Sequence, residues 1–309
     1  MRHFFLHSIS VFFAGAFAVH AQTSPASLTS GTSASKLTVE VRSVAGATLS
    51  SASDPIKVTL QHGHPYQQGD TIVVSAPEQQ KFLFVQVDNK VPESLIYCPS
   101  ARLTFPIPFG KLAEGYDPEA FVGDTHRIFA RVATQNEIAA YRNLALNSLD
   151  QRNVSQYFPH ASASSVTRDD PQFFERNVID GNTRTAGHGK WPYESWGNGL
   201  NQDPWIKIDF GRDVLVDRVR LYIRSDKTPD KNFGGRPHDT YWISATIRFS
   251  DGTTQDVTLK QSAEAQEYSF PEKKTKWLQI DNFKQPSQPL GFAAITEIEA
   301  YGKEPTTTK

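Results

Sequence analysis

Two segments of the chain combine aromatic rings with polar side chains, as carbohydrate-binding sites do. They run from His188 to Trp196 (HGKWPYESW) and from Gly234 to Trp242 (GGRPHDTYW), and both contain the Gly and Pro residues typical of loops. An aromatic face can cover the apolar side of a pyranose while His, Arg and Glu hydrogen-bond its hydroxyls. The candidate ligand-binding residues are His188, Trp191, Tyr193, Glu194, Trp196, Arg224, Arg236, His238 and Trp242.

The tryptophans of these segments have a second interpretation. Trp191, Trp196 and Trp242 could instead pack the ends of a β-sandwich, because large aromatic side chains contribute much of a protein core. The sequence leaves both interpretations open.

The same segments contain groups that could act in catalysis or bind zinc. Glu194 or Asp239 could be paired with a histidine as acid and base, and His188 and His238 could together bind zinc. However, the chain contains neither a Gly-x-Ser-x-Gly motif nor a His-Glu-x-x-His motif. Binding without catalysis is therefore the leading hypothesis, and no catalytic residue is assigned.

One further pair of histidines lies in the first half of the chain. His62 and His64 are two residues apart, so on a strand their side chains would point to the same face and could bind one metal ion. Because Gly63 and Pro65 interrupt the segment, the sequence favours a solvent-exposed turn.

Both halves of the chain have the pattern of β-strands. Short runs rich in Val, Ile, Phe and Thr alternate with Gly, Pro and Asp, which predicts strands separated by turns. In the first half the runs are Leu37–Val44, Ile56–Gln61, Thr71–Ser75, Phe82–Val87, Leu95–Cys98, Leu103–Ile107 and Ile128–Val132. In the second half they are Trp205–Phe210, Val219–Ile223, Tyr241–Phe249, Gln255–Leu259, Trp277–Ile280 and Ile295–Tyr301. The single cysteine, Cys98, lies in an apolar run and is expected to be a buried thiol.

A short helix is predicted between the two halves. Thr134 and Glu137 have the spacing of a capping box, and apolar residues at helical spacing continue from Gln135 to Leu146. The fold class predicted is all-β, with two β-sandwich domains joined by this helix. The predicted parts are a signal peptide (1–21), a flexible linker (22–35), an N-terminal sandwich (36–133), a helical connector (134–150), a second sandwich (151–303) and a tail (304–309).

The first residues of the chain predict export. The apolar stretch Ile9–Val19 is followed by Ala21, after which a signal peptidase could cut to give a mature start at Gln22. The stretch is shorter than the roughly 20 residues of a membrane span, so no transmembrane segment is expected in the mature chain. We expect a secreted or periplasmic protein. The net charge of −1 gives no reason to expect nucleic acid as a partner.

Three motifs in the second half resemble one family. Asn177–Thr185 (NVIDGNTRT), Trp205–Gly211 (WIKIDFG) and Thr296–Gly302 (TEIEAYG) are similar to sequences of discoidin domains, also called coagulation factor V/VIII type C domains. This galactose-binding-like family includes the family 32 carbohydrate-binding modules. The resemblance covers residues 145–302 and implies a discoidin-like jelly roll that binds a glycan or polysaccharide. The loop after Thr185 is longer and more aromatic than is usual in the family.

The resemblance also implies a structural calcium ion that ties the early turn to the last strand. Carried over by position, side-chain oxygens come from Asp180, Thr185 and Glu297, and backbone carbonyls come from Asn177, Asn182 and Thr296. Calcium takes about six to eight oxygen ligands and accepts this mixture. Without a metal, Asp180 and Gly181 would form an ordinary turn and Glu297 would be an exposed strand residue.

The leading hypothesis is thus an exported, lectin-like carbohydrate-binding protein with a calcium-stabilised sandwich. One alternative is a glycan-active hydrolase or lyase in which residues 36–133 hold the active site and the second half binds substrate. Another is a protein-recognition or adhesion module.

Overall fold

The computed structural model describes residues 36–199, 201–225, 240–286 and 292–306, together with the backbone of residues 229–230 and 236–237. The described part of the chain belongs to one compact unit that contains two hydrophobic cores. No helix in these ranges is long and apolar enough to cross a membrane.

The first core lies between two four-stranded antiparallel sheets, with strand orders β2-β1-β4-β7 and β3-β8-β5-β6. Alternation of side chains explains the layering, since Leu37, Val39 and Val41 of β1 are buried and the residues between them are partly exposed. Cys98 is a buried free thiol in this core, as predicted. The strands are β1 (Leu37–Arg42), β2 (Thr48–Asp54), β3 (Lys57–His62), β4 (Thr71–Ser75), β5 (Phe82–Gln86), β6 (Ser94–Tyr97), β7 (Arg102–Pro106) and β8 (His126–Val132).

The connecting helix α1 is shorter than predicted. It spans Gln135–Ala139, and the predicted capping box is present, with Thr134 accepting from the Glu137 N–H and Glu137 accepting from the Thr134 N–H. The prediction of a helix as far as Leu146 is wrong. Beyond Ala140 the chain is extended and pairs as β9 (Arg142–Asn143) with the last strand, because this path buries Leu144 and Ala145 in the second core.

The second core is enclosed by an antiparallel sheet with the strand order β11-β18-β12-β17-β15-β16, to which β10 and β9 are added. The two predicted strands Trp205–Phe210 and Val219–Ile223 are parts of one strand, β12, in which register shifts follow Asp209 and Val216. The all-β prediction is confirmed. The strands are β10 (His160–Ala163), β11 (Trp196–Gly197), β12 (Ile206–Ile223), β13 (Pro229–Asp230), β14 (Arg236–Pro237), β15 (Ser244–Phe249), β16 (Thr254–Thr258), β17 (Gln266–Lys284) and β18 (Ala294–Lys303).

One buried arginine joins the two halves. Arg176, in a 3₁₀ helix at Glu175–Val178, donates from Nε to the Asp150 carbonyl over 2.7 Å and from Nη2 to the Ser148 carbonyl over 3.2 Å. Its Nη1 donates to the Gly115 carbonyl over 3.3 Å, and its guanidinium lies 4.3 Å from the centre of the Tyr116 ring. Because Gly115 and Tyr116 belong to the first half, this side chain holds the region beside Asp180 against the first sandwich.

Candidate functional site

The early turn of the second half meets the last strand. Gly181, with a φ of +88°, follows Asp180, and its N–H lies 3.2 and 3.3 Å from the two carboxylate oxygens of Glu297. A side chain other than glycine adopts this backbone conformation with strain. On β18 the register shifts beside Glu297, so that Thr296 has no partner residue on β12. Such a bulge leaves the backbone of the extra residue outside the ladder.

Three carboxylates are buried around this contact. Asp180 is 8% exposed, Glu194 is 1% exposed and Glu297 is 0% exposed. The Asn182 amide donates to Glu194 Oε1 over 2.6 Å, while Glu194 Oε2 has no hydrogen-bond partner among the described residues. Arg176 Nη1 lies 3.7 Å from Asp180 Oδ2. The local charge is therefore negative unless protons or a cation balance it.

The surroundings raise the pKa of all three carboxyl groups. Burial, followed by the charge of Glu194, raises the pKa of Asp180 to about 8. Burial, followed by the charge of Asp180, raises the pKa of Glu297 well above its usual value, and burial raises the pKa of Glu194. Without a bound cation, these groups keep protons at pH values where exposed carboxyls have lost them.

The neighbouring oxygens fit a hard cation better than a transition metal. Among the described residues, no group of three His, Cys, Asp or Glu side chains could hold a metal ion. A cation would therefore need Asp180 and Glu297 supplemented by hydroxyl and carbonyl oxygens, which is the mixture that calcium accepts. Thr185 is buried, and its hydroxyl donates to the Ala263 carbonyl and accepts from the Ser225 hydroxyl, each over 3.4 Å. The side-chain oxygen of Asn177 already accepts from Arg176 Nη1 over 3.1 Å. Asn177 could thus contribute only its backbone carbonyl.

A cleft of about 340 Å³ opens beside Asp180. Both halves of the protein line it: the first sandwich contributes a loop around Lys90 and the segment Gly115–Asp117, and the second contributes Asp180–Arg184 with Trp191 and Glu194. The volume lies at the lower end of the range for small-molecule sites, roughly 300–1,000 Å³.

Part of the predicted aromatic loop faces this cleft. Trp191 is half-buried and lines it, with the guanidinium of Arg184 at 5.6 Å from the indole centre. Tyr193 is 38% exposed, and its ring packs against Gly187, where an added Cβ would lie 2.8 Å from the ring. His188 is also exposed. An aromatic surface and polar groups are therefore available to a ligand in this loop.

Other predicted ligand residues lie in the interior, which corrects their assignment. Trp196 is 0% exposed and donates from its indole to the Ser165 carbonyl over 2.9 Å, and Trp242 packs 4.7 Å from Phe283. Arg224 is 3% exposed and donates to the Phe292 carbonyl over 2.7 Å. For the two tryptophans the core-packing interpretation fits the structure, and Arg224 is a buried charged residue.

Three further predictions have different outcomes. Glu194, a predicted ligand residue, lines the cleft but is 1% exposed and accepts from the Asn182 amide. Arg236 belongs to β14, of which only the backbone is described. His238 lies outside the described residues.

The predicted exposed turn of the first half is present at Gly63, His64 and Pro65 but does not include His62. His62 ends β3, is 1% exposed and stacks 5.2 Å from Tyr66, whereas His64 is exposed. Burial of His62 follows from the alternation of β3, which also buries Val58 and Leu60.

The sequence interpretation missed the residues that complete the cleft. Lys90, Tyr116 and Asp117 carry no local signal of a site, because they come from a different sandwich and reach the cleft only through the tertiary fold. Arg184 lies within the Asn177–Thr185 segment and Arg176 directly precedes it. A search of the sequence for cations around that motif could therefore have found both.

No protein-family model matches the chain. Among solved structures, the chitosan-binding module 1 of a chitosanase/glucanase from Paenibacillus sp. IK-5 is 20% identical, with a TM-score of 0.32 over 52% of this chain and 98% of the module. A fucose-binding module of Streptococcus pneumoniae is 17% identical, with a TM-score of 0.36 over 52% of this chain and 98% of the module. The family 32 carbohydrate-binding module of NanJ from C. perfringens, in complex with galactose, is 18% identical, with a TM-score of 0.33 over 46% of this chain and 91% of the module. All three are carbohydrate-binding modules, and at these identities and TM-scores they assign neither a function nor a ligand to this chain.

Proposed function

We propose that the protein is an exported carbohydrate-binding protein of the lectin type, with a second sandwich that calcium stabilises. The observation that carries the proposal is the cleft of about 340 Å³ in which the half-buried indole of Trp191 lies among charged groups. A sugar needs an apolar surface for its C–H face and polar groups for its hydroxyls, and this cleft offers both. The three sequence motifs of the second half support the same class of function.

Calcium would be held by Asp180 and Glu297, with the Thr185 hydroxyl and the carbonyls of Asn177, Asn182 and Thr296 completing the set. When bound, the ion supplies the positive charge that balances the buried carboxylates. Two hydrogen bonds position the carboxylates around the ion: the Gly181 N–H donates to Glu297, and the Asn182 amide donates to Glu194.

A second candidate function is hydrolysis of a glycosidic bond. It is favoured by one observation, the presence of two carboxyl groups with raised pKa values, Asp180 and Glu194, in the same cleft. Glycosidases use a pair of carboxyl groups, one as a general acid with a raised pKa and the other as an ionised base or nucleophile. A glycan array combined with an assay for new reducing ends separates the two candidates. Binding without new reducing ends supports a lectin, and new reducing ends establish an enzyme. If the protein shows neither binding nor products, a protein-recognition module is the remaining candidate.

The ligand role of Trp191 gives a direct prediction. We expect Trp191→Ala to weaken binding of an array-positive glycan several-fold, because a stacked aromatic contact contributes about 1 kcal/mol. Isothermal calorimetry measures the affinity, and thermal unfolding checks that the fold persists. Trp277→Ala serves as the matched control, since Trp277 lies on β17 and does not line the cleft. Unchanged affinity in Trp191→Ala would place the site elsewhere.

Export is a separate part of the proposal. The apolar stretch Ile9–Val19 and the residue Ala21 lead us to expect a mature protein that begins at Gln22. N-terminal sequencing of protein from its native host measures this directly. A chain that still begins with Met1 would contradict export by this route.

A further inference from the structure

We propose that the cleft is a composite saccharide site to which the first sandwich contributes one wall. This inference rests on the proposed carbohydrate-binding function and gives the first sandwich a role in it. The wall is formed by the loop around Lys90 and by Tyr116 and Asp117, and the second sandwich contributes Arg184 and Trp191 to the same cleft.

The two walls are fixed to each other by direct contacts at the edge of the cleft. Lys190 forms an ion pair of 2.8 Å with Glu114, and the Trp191 N–H donates to the Glu114 carbonyl over 3.1 Å. The loop that carries the indole is therefore attached to the 3₁₀ helix Gly110–Gly115 of the first sandwich. Arg176 Nη1 also donates a hydrogen bond to the Gly115 carbonyl, a further contact between the two halves. A ligand in the cleft meets walls that are already positioned, which lowers the entropic cost of binding.

The wall from the first sandwich carries one cation and one anion. Lys90 forms an ion pair with Glu119, and its side chain is 44% exposed. Asp117 is half-exposed and accepts the Glu119 N–H on Oδ1 over 2.9 Å. The Asp117 carboxylate has a second oxygen with which it can accept a hydrogen bond from a ligand.

The donors and acceptors that line the cleft suit a ligand rich in hydroxyl groups. Lysine and arginine only donate hydrogen bonds, ionised carboxylates only accept them, and a hydroxyl group does both. Asp117 of the first sandwich and Arg184 of the second therefore both suit the hydroxyls of a sugar. Both sandwiches thus supply hydrogen-bonding groups to a saccharide in the cleft.

Full-length variants test the composite site. Asp117→Ala and Lys90→Ala remove the polar groups of the first-sandwich wall, and calorimetry with glucose, galactose, mannose and any array-positive glycan measures affinity. We expect Asp117→Ala to weaken binding of a saccharide that the wild type binds by on the order of tenfold. Matched controls are Asp124→Ala and Lys57→Ala, which remove exposed charges of the same sandwich that do not line the cleft.

The outcomes separate this inference from the proposed function. If Trp191→Ala weakens binding while Asp117→Ala and Lys90→Ala bind as the controls do, the protein binds sugar but the first sandwich forms no part of the site. If neither sugars nor glycans of the array bind to the wild type, the proposed function itself is wrong.

Discussion

Arg176→Ala should lower the free energy of unfolding by about 3–5 kcal/mol, the largest single-residue effect that we expect on stability. The guanidinium is 5% exposed and donates to the carbonyls of Ser148, Asp150 and Gly115. Its removal leaves these acceptors without their donor and leaves Asp180 without the nearest positive charge, at 3.7 Å. Urea unfolding followed by tryptophan fluorescence measures the change.

The conservative substitution and a neighbouring arginine make the test specific. Arg176→Lys should recover only part of the loss, because an ammonium group cannot reproduce the planar set of donors that reaches several carbonyls at once. Arg184→Ala removes an exposed guanidinium from the same region and should change the free energy of unfolding by less than about 0.5 kcal/mol. A loss in Arg176→Ala no larger than that of Arg184→Ala would show that the arginine does not hold the two halves together.

Strand positions could be predicted from the sequence because side chains alternate along a strand. Leu37, Val39 and Val41 show this directly, since each is buried and the residues between them are not. The continuity of β12 was not predictable in the same way. Between Phe210 and Val219 the register shifts and Gly211 takes a positive φ, so the two-residue period is lost although the strand continues.

The helix after Thr134 was predicted too long because pairing with β18 outweighs the helical preference of the residues beyond Ala140.

The site was less predictable than the fold, for two physical reasons. Composition does not distinguish an aromatic platform from an aromatic core residue, so Trp191 at the cleft and Trp196 in the interior have the same signal in the sequence. Contacts between distant segments also carry no local pattern, which is why Asp117 and Lys90 were not considered. The meeting of Gly181 with Glu297 was implied by the resemblance and is present in the structure, whereas bound calcium stays a prediction.

Calcium should raise the melting temperature of the protein markedly. An ion that binds only the folded state at about 100 times its dissociation constant adds roughly 2.7 kcal/mol. In a protein of this size, that corresponds to a rise of about 4 °C. Differential scanning calorimetry in the presence of calcium and of a chelator measures the difference. An unchanged melting temperature, with no calcium found by elemental analysis, would show that the carboxylates serve no such ion.

The pH dependence of this effect follows from the raised pKa values. In the calcium-free protein, folding raises the pKa of Asp180 from about 3.8 to about 8, so the folded state binds more protons than the unfolded state between these values. The stability that this group contributes is thus fully present below about pH 4 and is lost as the pH rises towards 8. Calcium binds the ionised carboxylates and releases their protons. The calcium-induced rise in melting temperature should therefore be small at pH 5 and large at pH 8.

Neutral variants of the two carboxylates separate calcium binding from simple packing. Asp180→Asn and Glu297→Gln should abolish the response to calcium while they keep the shape of the side chains. Without calcium at pH 8, Glu297→Gln should be at least as stable as the wild type, because burial and the charge of Asp180 oppose ionisation of Glu297, and the neutral amide does not ionise. Glu272→Gln, at an exposed position paired with Lys303, should leave the calcium response unchanged. If Glu297→Gln instead lost stability equally with and without calcium, Glu297 would be holding Gly181 by its hydrogen bonds alone, and the negative charge of the cluster would have no role in binding an ion.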